Sequence, residues 1–272
     1  MSFRQLGQEI TELREWLSAA MRRRYRRALA EPRAGIAARW AQFDRQALMA
    51  TPLREAPIVV LDTETTGFEP YGGDGLVEIA LIEQRGLIPT GREFTSLVHP
   101  GRPIPLTSGF VHHITDLDVA DAPSLERVVD QVFDFFDGAL LVGHHVGFDL
   151  RFLNRLALRH LDRPIPNPTV NTAVLFQAWR DRRGSCDLDA VAAACDVPVH
   201  DRHNARGDAQ VCSAIFARLA ATMAERGDTV GDLLAVTPPD PKYGPHYSRP
   251  HAGTTTDTED APARHVHARG DD

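Results

Sequence analysis

Two carboxylates stand at the end of the most apolar strand-like run in this chain. The run IVVL (58–61) leads directly into Asp62 and Glu64. Side chains two residues apart on a strand project from one face, so both acids point the same way. Carboxylates held that close repel each other unless positive charge lies between them. The pair indicates a cation site, although taken alone it fits a turn or a solvated strand end equally well.

Two further acids and a histidine occupy comparable positions. Asp149 follows the apolar run ALLVG and starts a helix, and Asp208 starts the last long helix with His203 in the loop before it. Each acid alone is an ordinary helix-start residue, and His203 alone is a surface residue. In an α/β sheet, however, strand ends and the adjacent helix starts share one edge, where active sites collect. We therefore expect the four acids and His203 to meet there.

A cluster of carboxylates without thiols has a defined chemistry. Oxygen ligands suit Mg²⁺ or Mn²⁺. Two such ions, about 3.5–4 Å apart, can stabilise the attacking and leaving oxygens of a phosphodiester. A neighbouring imidazole can take the proton from the attacking water. The cluster predicts a phosphodiester hydrolase that uses two Mg²⁺ or Mn²⁺ ions.

The first 50 residues read as a basic helical extension. Apolar residues at steps of three and four run from Leu6 to Leu29, and a shorter helical pattern runs from Ile36 to Leu48. Five arginines cluster near the end of the first pattern: Arg22, Arg23, Arg24, Arg26 and Arg27. Two interpretations stay open here, a basic arm for nucleic acid or a partner, and a solvated helical pair packed on the main domain.

The elements that would position the acids lie in residues 55–228. Three strand-like runs after Pro57 predict an antiparallel meander, and helices and short strands alternate after it. Predicted helices cover residues 124–137, 148–161, 172–182, 187–195 and 207–227, and GALLVGHH contains a buried strand. The order predicts an α/β domain with a mixed sheet flanked by helices.

Composition sets further limits. A chain of 272 residues with 43% apolar content can form one ordinary domain with appendages. Residues 237–272 lack apolar periodicity and predict a disordered tail. The cysteines at 186, 195 and 212 have no paired spacing, so we expect reduced core thiols. Neither a membrane-spanning run nor a signal peptide is evident, which predicts a cytoplasmic protein without membrane contact.

The net charge of −7 is unevenly distributed. Residues 1–50 hold ten arginines against five acids, whereas residues 51–236 have a net charge close to −10. An acidic domain gains little from counterion release on a polyanion. We therefore expect weak, distributive action on nucleic acid, with residues 1–50 supplying much of the affinity.

Three motifs resemble those of the DEDDh exonucleases, the DnaQ-like group that includes the proofreading epsilon subunit of bacterial DNA polymerase III. They are DTETTG (62–67), HHVGFD (144–149) and HNARGD (203–208), and the resemblance spans residues 57–226. FVHHIT (110–115) stands where the family has a Val-His-Gly-Ile stretch near the terminal nucleotide. The resemblance implies a ribonuclease-H-like fold and a 3′→5′ exonuclease with two divalent metals.

The resemblance also implies residue roles. It makes His203 the general base and gives the metal-ligand set Asp62, Glu64, Asp149 and Asp208. It places four residues against the substrate: Thr65, Thr66, His112 and His144. The substrate would be nucleic acid with a free 3′ end, single-stranded DNA ahead of RNA, with a DNA polymerase as partner and a role in proofreading or repair. Two departures, His145 for Asn and Asn171 for Asp, bear on substrate handling.

Two other classes of protein share part of this pattern. Haloacid-dehalogenase phosphatases also have an apolar strand ending in Asp, but they need a second Asp and a site lysine. Here the second acid is Glu64, and the single lysine, Lys242, lies in the tail. A scaffold subunit with little or no nuclease activity remains the alternative, although retention of all five catalytic residue types argues against it.

Overall fold

A computed structural model describes residues 30–180 and 186–237 of the chain. The strands are β1 (Pro57–Thr65), β2 (Leu76–Arg85), β3 (Ile88–Leu97), β4 (Leu140–Gly143) and β5 (Thr169–Asn171). The helices in these ranges are α1 (Ala30–Ala41), α2 (Arg45–Ala50), α3 (Leu106–His112), α4 (Leu125–Phe135), α5 (Gly147–Leu161), α6 (Thr172–Arg180), α7 (Leu188–Ala194), α8 (Ala205–Arg226) and α9 (Val230–Val236). The first helical pattern, its arginine cluster and the tail after Thr237 lie outside the described residues.

The five strands form one mixed sheet in the order β3-β2-β1-β4-β5. The pairs β1–β2 and β2–β3 are antiparallel, which confirms the predicted meander. The pairs β1–β4 and β4–β5 are parallel. Strand β1 is thus central and has a neighbour along each edge.

Helices cover both faces of this sheet. Ile58 and Val60 of β1 belong to the core under α6, α7 and α8, whereas Val59 and Leu61 belong to the core under α1, α4 and α5. A strand buried on both faces reads as a continuous apolar run, which explains IVVL. The predicted α/β sheet flanked by helices is confirmed.

Part of the predicted basic extension lies in the core. Ile36 and Trp40 of α1 are 2% and 4% exposed, and the Trp40 ring lies 4.8 Å from that of Phe133. Leu48 of α2 is buried against α9 residues such as Leu233. The second helical pattern, predicted as one helix, is split into α1 and α2. The described part of residues 1–50 is therefore packed on the domain.

Three elements were not predicted from the sequence. Strand β5 has three residues, and α3 buries only His112, so neither carries a readable apolar pattern. The predicted domain ends at residue 228, and helix α9 begins after it, with a capping box between Thr229 and Asp232. The packed unit thus includes helices before residue 55 and after residue 228, the predicted limits of the domain. The division of the chain into domains stays a prediction.

Two smaller expectations concern thiols and membranes. All three cysteines are buried and none forms a disulfide, as expected of core thiols, and their reduced state stays a prediction. Among the described helices, none combines the length and the apolar character needed to cross a membrane.

Candidate metal centre and active site

Three carboxylates converge at the C-terminal end of β1. Asp62 and Glu64 continue the alternation of Ile58 and Val60, so they lie on the face that α8 covers. Asp208 is in the first turn of α8 and is 6% exposed. One carboxylate oxygen from each of the three acids lies within 4.8 Å of the other two.

The fourth predicted acid reaches the site from the opposite face of the sheet. Asp149 is in the first turn of α5 and is 3% exposed. The hydroxyl of Thr63, which points to the α5 side of β1, donates to Asp149 Oδ1 at 2.6 Å. Asp149 lies outside the group of three mutually close oxygens. Its charge nevertheless raises the pKa of both Asp62 and Glu64, so it belongs to the same electrostatic centre.

Burial and mutual repulsion shift the acids strongly. Burial, followed by the charges of Asp149 and Glu64, raises the pKa of Asp62 well above its ordinary value. Burial, followed by the charge of Asp208, raises the pKa of Glu64 to about 8. Burial raises the pKa of Asp149 to about 7 against the opposing hydrogen bond from Thr63. Such a cluster favours a cation among its members.

The donor set fits a divalent cation. All of its atoms are carboxylate oxygens, the ligands that hard ions such as Mg²⁺ and Mn²⁺ prefer. Asp208 Oδ1 is buried and accepts no hydrogen bond from any described residue. A buried carboxylate oxygen without a donor is costly unless a cation binds it.

His203 is held beside this centre by its backbone. Its side chain is exposed, its φ is 59°, and its N–H donates to Asp208 Oδ2 at 3.3 Å. Asp201, in the same loop, also has a left-handed φ of 50°. A Cβ at Gly207 would lie 2.3 Å from the Asp201 carbonyl oxygen, so only glycine allows the start of α8 to pass this loop. The loop presents the imidazole to solvent next to an anchored acid.

Arg202 is a site residue that the sequence reading missed. Its Nη1 is paired with Asp208 Oδ2, and its Nε donates to Asp189 Oδ1 at 2.6 Å. Its charge lowers the pKa of Asp62 and Glu64 against the larger effects that raise them. The one available signal was its position directly before His203.

Glu78 of β2 is a second missed residue. It is the cross-strand partner of Glu64 and is 5% exposed. Its carboxylate accepts the N–H of Ala205 at 2.9 Å and the side-chain amide of Asn204 at 3.4 Å, and Asn204 in turn caps α8. Burial raises the pKa of Glu78 against the Ala205 hydrogen bond. A charged residue within the apolar run LVEIALI was the sequence signal for this contact.

The threonines after Glu64 serve the turn at the end of β1. Thr65 Oγ1 donates to the Gly67 carbonyl at 2.8 Å. Thr66 is 2% exposed, and its hydroxyl donates to Asp74 Oδ1 at 3.2 Å and accepts the Gly75 N–H at 3.1 Å. The side chain of Thr66 is thus enclosed in the turn, and its expected contact with substrate stays a prediction.

The two histidines expected at the substrate differ in placement. His112 of α3 is 5% exposed, and its ring lies at the Thr65 backbone while its Nδ1 accepts the Ile114 N–H at 3.1 Å. In His144, Nδ1 is bonded to Thr172 Oγ1 at 2.9 Å and Nε2 to the Cys186 carbonyl at 2.7 Å. Both ring nitrogens of His144 are hydrogen-bonded inside the protein, and its expected contact with substrate stays a prediction. It links the end of β4 to α6.

The two departures from the family pattern contact each other. The N–H of His145, which has a φ of 60°, donates to Asn171 Oδ1 at 3.0 Å. The amide of Asn171 lies 3.5 Å from His145 Nδ1. His145 is exposed, and Asn171 ends β5. The unusual pair is thus one local unit at the edge of the site.

Comparison with known proteins gives a family match. The profile of the exonuclease family RNase_T matches residues 59–216. A DNA polymerase III subunit epsilon-like protein of Rhodobacter capsulatus is 40% identical over 195 residues, which are 69% of this chain and 27% of that protein. DNA polymerase III subunit epsilon of Treponema pallidum is 31% identical over 61% of this chain and 77% of its own length. The chain thus spans about a quarter of the first relative and most of the second.

Solved structures support the same fold. Exonuclease X in complex with 5′ overhanging duplex DNA superposes with a TM-score of 0.50 at 24% identity, over 65% of this chain and 98% of that one. E. coli exonuclease I in complex with a dT13 oligonucleotide superposes with a TM-score of 0.54 at 16% identity, over 63% of this chain and 42% of that one. These neighbours confirm the ribonuclease-H-like arrangement of the sheet.

Proposed function

Because this chain belongs to the RNase_T exonuclease family, the DnaQ-like group that its motifs resemble, we propose that it is a two-metal 3′→5′ exonuclease. The observation that carries the proposal is the group of three carboxylate oxygens, from Asp62, Glu64 and Asp208, within 4.8 Å of one another. The exposed His203, anchored to Asp208, accompanies it.

The proposed roles follow from the contacts. Asp62, Glu64 and Asp208 hold the divalent cations, and Asp149, oriented by Thr63, completes the set. When bound, two Mg²⁺ or Mn²⁺ ions supply positive charge for the phosphodiester oxygens and acidify the attacking water. His203 would accept a proton from the attacking water, because its imidazole is exposed while its N–H is bonded to Asp208.

The substrate proposed is DNA with a free 3′ end, single-stranded ahead of double-stranded. The support comes from neighbours solved with DNA and from relatives named as polymerase III epsilon subunits. The same relatives support a DNA polymerase as partner, and with that partner we propose a role in proofreading or repair in the cytoplasm.

The test is a cleavage assay with polarity built in. Matched 5′-labelled single- and double-stranded DNA and RNA are digested by the wild type and by Asp62→Ala, in Mg²⁺ and in Mn²⁺. A ladder that shortens from the 3′ end, needs a divalent cation and disappears in Asp62→Ala is the expected result. Activity that survives Asp62→Ala would assign cleavage to another site.

The alternative is a polymerase-associated scaffold with little nuclease activity. It is supported by the relatives named as subunits of DNA polymerase III, because a subunit can act through its partner. A wild type without cleavage in either metal, but with stable binding to a DNA polymerase in size-exclusion chromatography, would favour the scaffold.

A further inference from the structure

An exposed aromatic and basic surface lies at the C-terminal end of α6, which ends at Arg180. We call it the α6 surface and define it as Phe176, Trp179, Arg180 and Arg218. Trp179 is 57% exposed, and its ring stacks on Phe176 with centroids 6.0 Å apart and planes 28° apart. The Arg180 guanidinium lies 5.4 Å from the Phe176 ring centroid and 5.9 Å from that of Trp179.

The surface carries positive charge. Arg180 at the end of α6 and Arg218 on α8 are both exposed. Both lie close enough to Cys195 to oppose the burial that raises the pKa of its thiol, whereas Asp196 adds to that rise. No described carboxylate lies within 4.0 Å of either guanidinium. The surface thus combines an exposed aromatic ring with exposed arginines in a domain whose net charge is close to −10.

The position of α6 connects this surface to the candidate site. Helix α6 starts at Thr172, whose hydroxyl is bonded to His144, the first residue of the HHVGFD motif that ends in Asp149. Trp179 is seven residues further along the helix, which corresponds to about 10 Å along its axis. A single strand that runs from the carboxylates along α6 covers that axial length with a few nucleotides.

We propose that the α6 surface binds single-stranded nucleic acid several nucleotides from the reacting 3′ end, with a base stacked on Trp179 and phosphates near Arg180 and Arg218. The inference rests on the proposed exonuclease function and adds a second contact for the same substrate. Aromatic faces take bases of any identity, and arginines follow the backbone, so the contact is independent of sequence.

The experiment compares a short and a long substrate in Trp179→Ala and Arg180→Ala. The short substrate is the p-nitrophenyl ester of thymidine 5′-monophosphate, and the long one is a 5′-labelled oligothymidylate of about 12 nucleotides. We expect KM for the long substrate to rise about tenfold with kcat unchanged, and both constants for the ester to stay at the wild-type level. Trp179→Phe keeps a stacking ring and should restore most of the affinity.

Ile88→Ala is the matched control. Ile88 is 73% exposed on the β2–β3 hairpin, where its neighbour Arg85 pairs with Pro57 at the opposite end of β1 from the carboxylates. This variant should leave every constant unchanged. Melting temperatures of all variants establish that exposed positions were changed without unfolding.

Binding measured without cleavage separates this inference from the proposed function. Fluorescence anisotropy of a labelled oligothymidylate with Asp62→Asn gives a Kd that Trp179→Ala should raise about tenfold, whether or not the wild type cleaves DNA. An unchanged Kd overturns the inference, as does an equal loss on the ester and the oligonucleotide. A Trp179→Ala change in oligomeric state with unchanged Kd would assign the surface to protein contact and also overturn it.

Discussion

At the scale of single residues, His203 has an unusual division between backbone and side chain. Its N–H is bonded to Asp208 while its imidazole is exposed. His203→Ala should therefore lower kcat about 10²- to 10⁴-fold and leave Mn²⁺ affinity close to wild type. Single-turnover cleavage of labelled DNA measures the first effect, and calorimetric titration with Mn²⁺ measures the second.

A neighbouring histidine supplies the control for this prediction. His200 is also exposed and precedes the same loop. His200→Ala should retain wild-type kcat. If His203→Ala instead abolished Mn²⁺ binding, the imidazole would be a ligand and the assignment of a general base would be wrong.

Glu64 links the stability of the fold to pH. Its pKa is raised from an ordinary 4.5 to about 8, chiefly by burial. A carboxyl with a raised folded-state pKa contributes stability that is full below the unfolded value and is lost as pH rises through the folded value. In the presence of a chelator, the melting temperature should fall between about pH 4.5 and pH 8.

Two comparisons test the cause of that fall. Glu64→Gln should reduce the slope of melting temperature against pH, and excess Mn²⁺ should raise the wild-type melting temperature most at pH 8, because the cation offsets the ionised carboxylates. A wild-type melting temperature that rises across this interval would contradict the mutual repulsion inferred for the site.

The sequence was informative about some site residues and silent about others for a physical reason. Asp62 and Glu64 were predictable because strand alternation alone puts them on one face. Arg202 and Glu78 were not, because their partners Asp208 and Ala205 are brought to them by tertiary packing. The hydrogen-bond partners of His144 were not predictable for the same reason, since packing brings Thr172 and the Cys186 carbonyl to its nitrogens.

At the scale of elements, the junction of β2 with α8 controls the loop that bears His203. Glu78 accepts the Ala205 N–H at the start of α8, two residues after His203. Glu78→Ala leaves that buried donor unpaired, at a cost of about 1–3 kcal/mol of unfolding free energy, and should lower kcat more than it raises KM. Denaturant unfolding and steady-state kinetics measure the two effects.

Glu78→Gln is the matched variant for that junction. Its amide oxygen can still accept the Ala205 N–H, so most of kcat should remain. Equal losses in the two variants would show that charge at Glu78, and not the hydrogen bond, is what the site requires.

Elements with strong periodicity were predicted well, and elements held by context were not. The buried strand β1 and the long helix α8 follow from continuous apolar runs and apolar spacing. Helix α3 leaves Leu106 and Phe110 80% and 77% exposed, so it has no core stripe to read. Strand β5 is too short for alternation and exists because β4 supplies a parallel partner.

At the scale of the whole molecule, the predicted extension of residues 1–50 has two parts. The arginine-rich part can be deleted without removing the part that packs in the core. Residues 1–29 hold seven arginines against three acids, whereas Ile36 and Trp40 are buried in the core. Deleting residues 1–29 should raise KM on long single strands about tenfold at low salt and weaken its salt dependence. Kinetics at several salt concentrations measure both effects.

Two further variants bracket this truncation. Replacing the five clustered arginines by glutamine in the full chain should reproduce the rise in KM if charge is the cause. Deleting residues 1–50 instead removes Ile36, Trp40 and Leu48 from the core and should lower the melting temperature markedly. If deletion of residues 1–29 left KM unchanged at low salt, residues 1–29 would have no role in binding.

The central position of β1 makes the strand that bears Asp62 and Glu64 harder to open locally than the loop that bears His203. Asp62 and Glu64 follow residues whose amides are paired with neighbours on both edges and covered on both faces, so these amides should exchange with deuterium only on global unfolding. The exposed loop at Asp201, which has a left-handed φ and precedes His203, should exchange much sooner. As temperature rises, proton transfer by His203 should therefore fail before the carboxylates of β1 lose the cation. Loss of activity should then occur below the melting temperature.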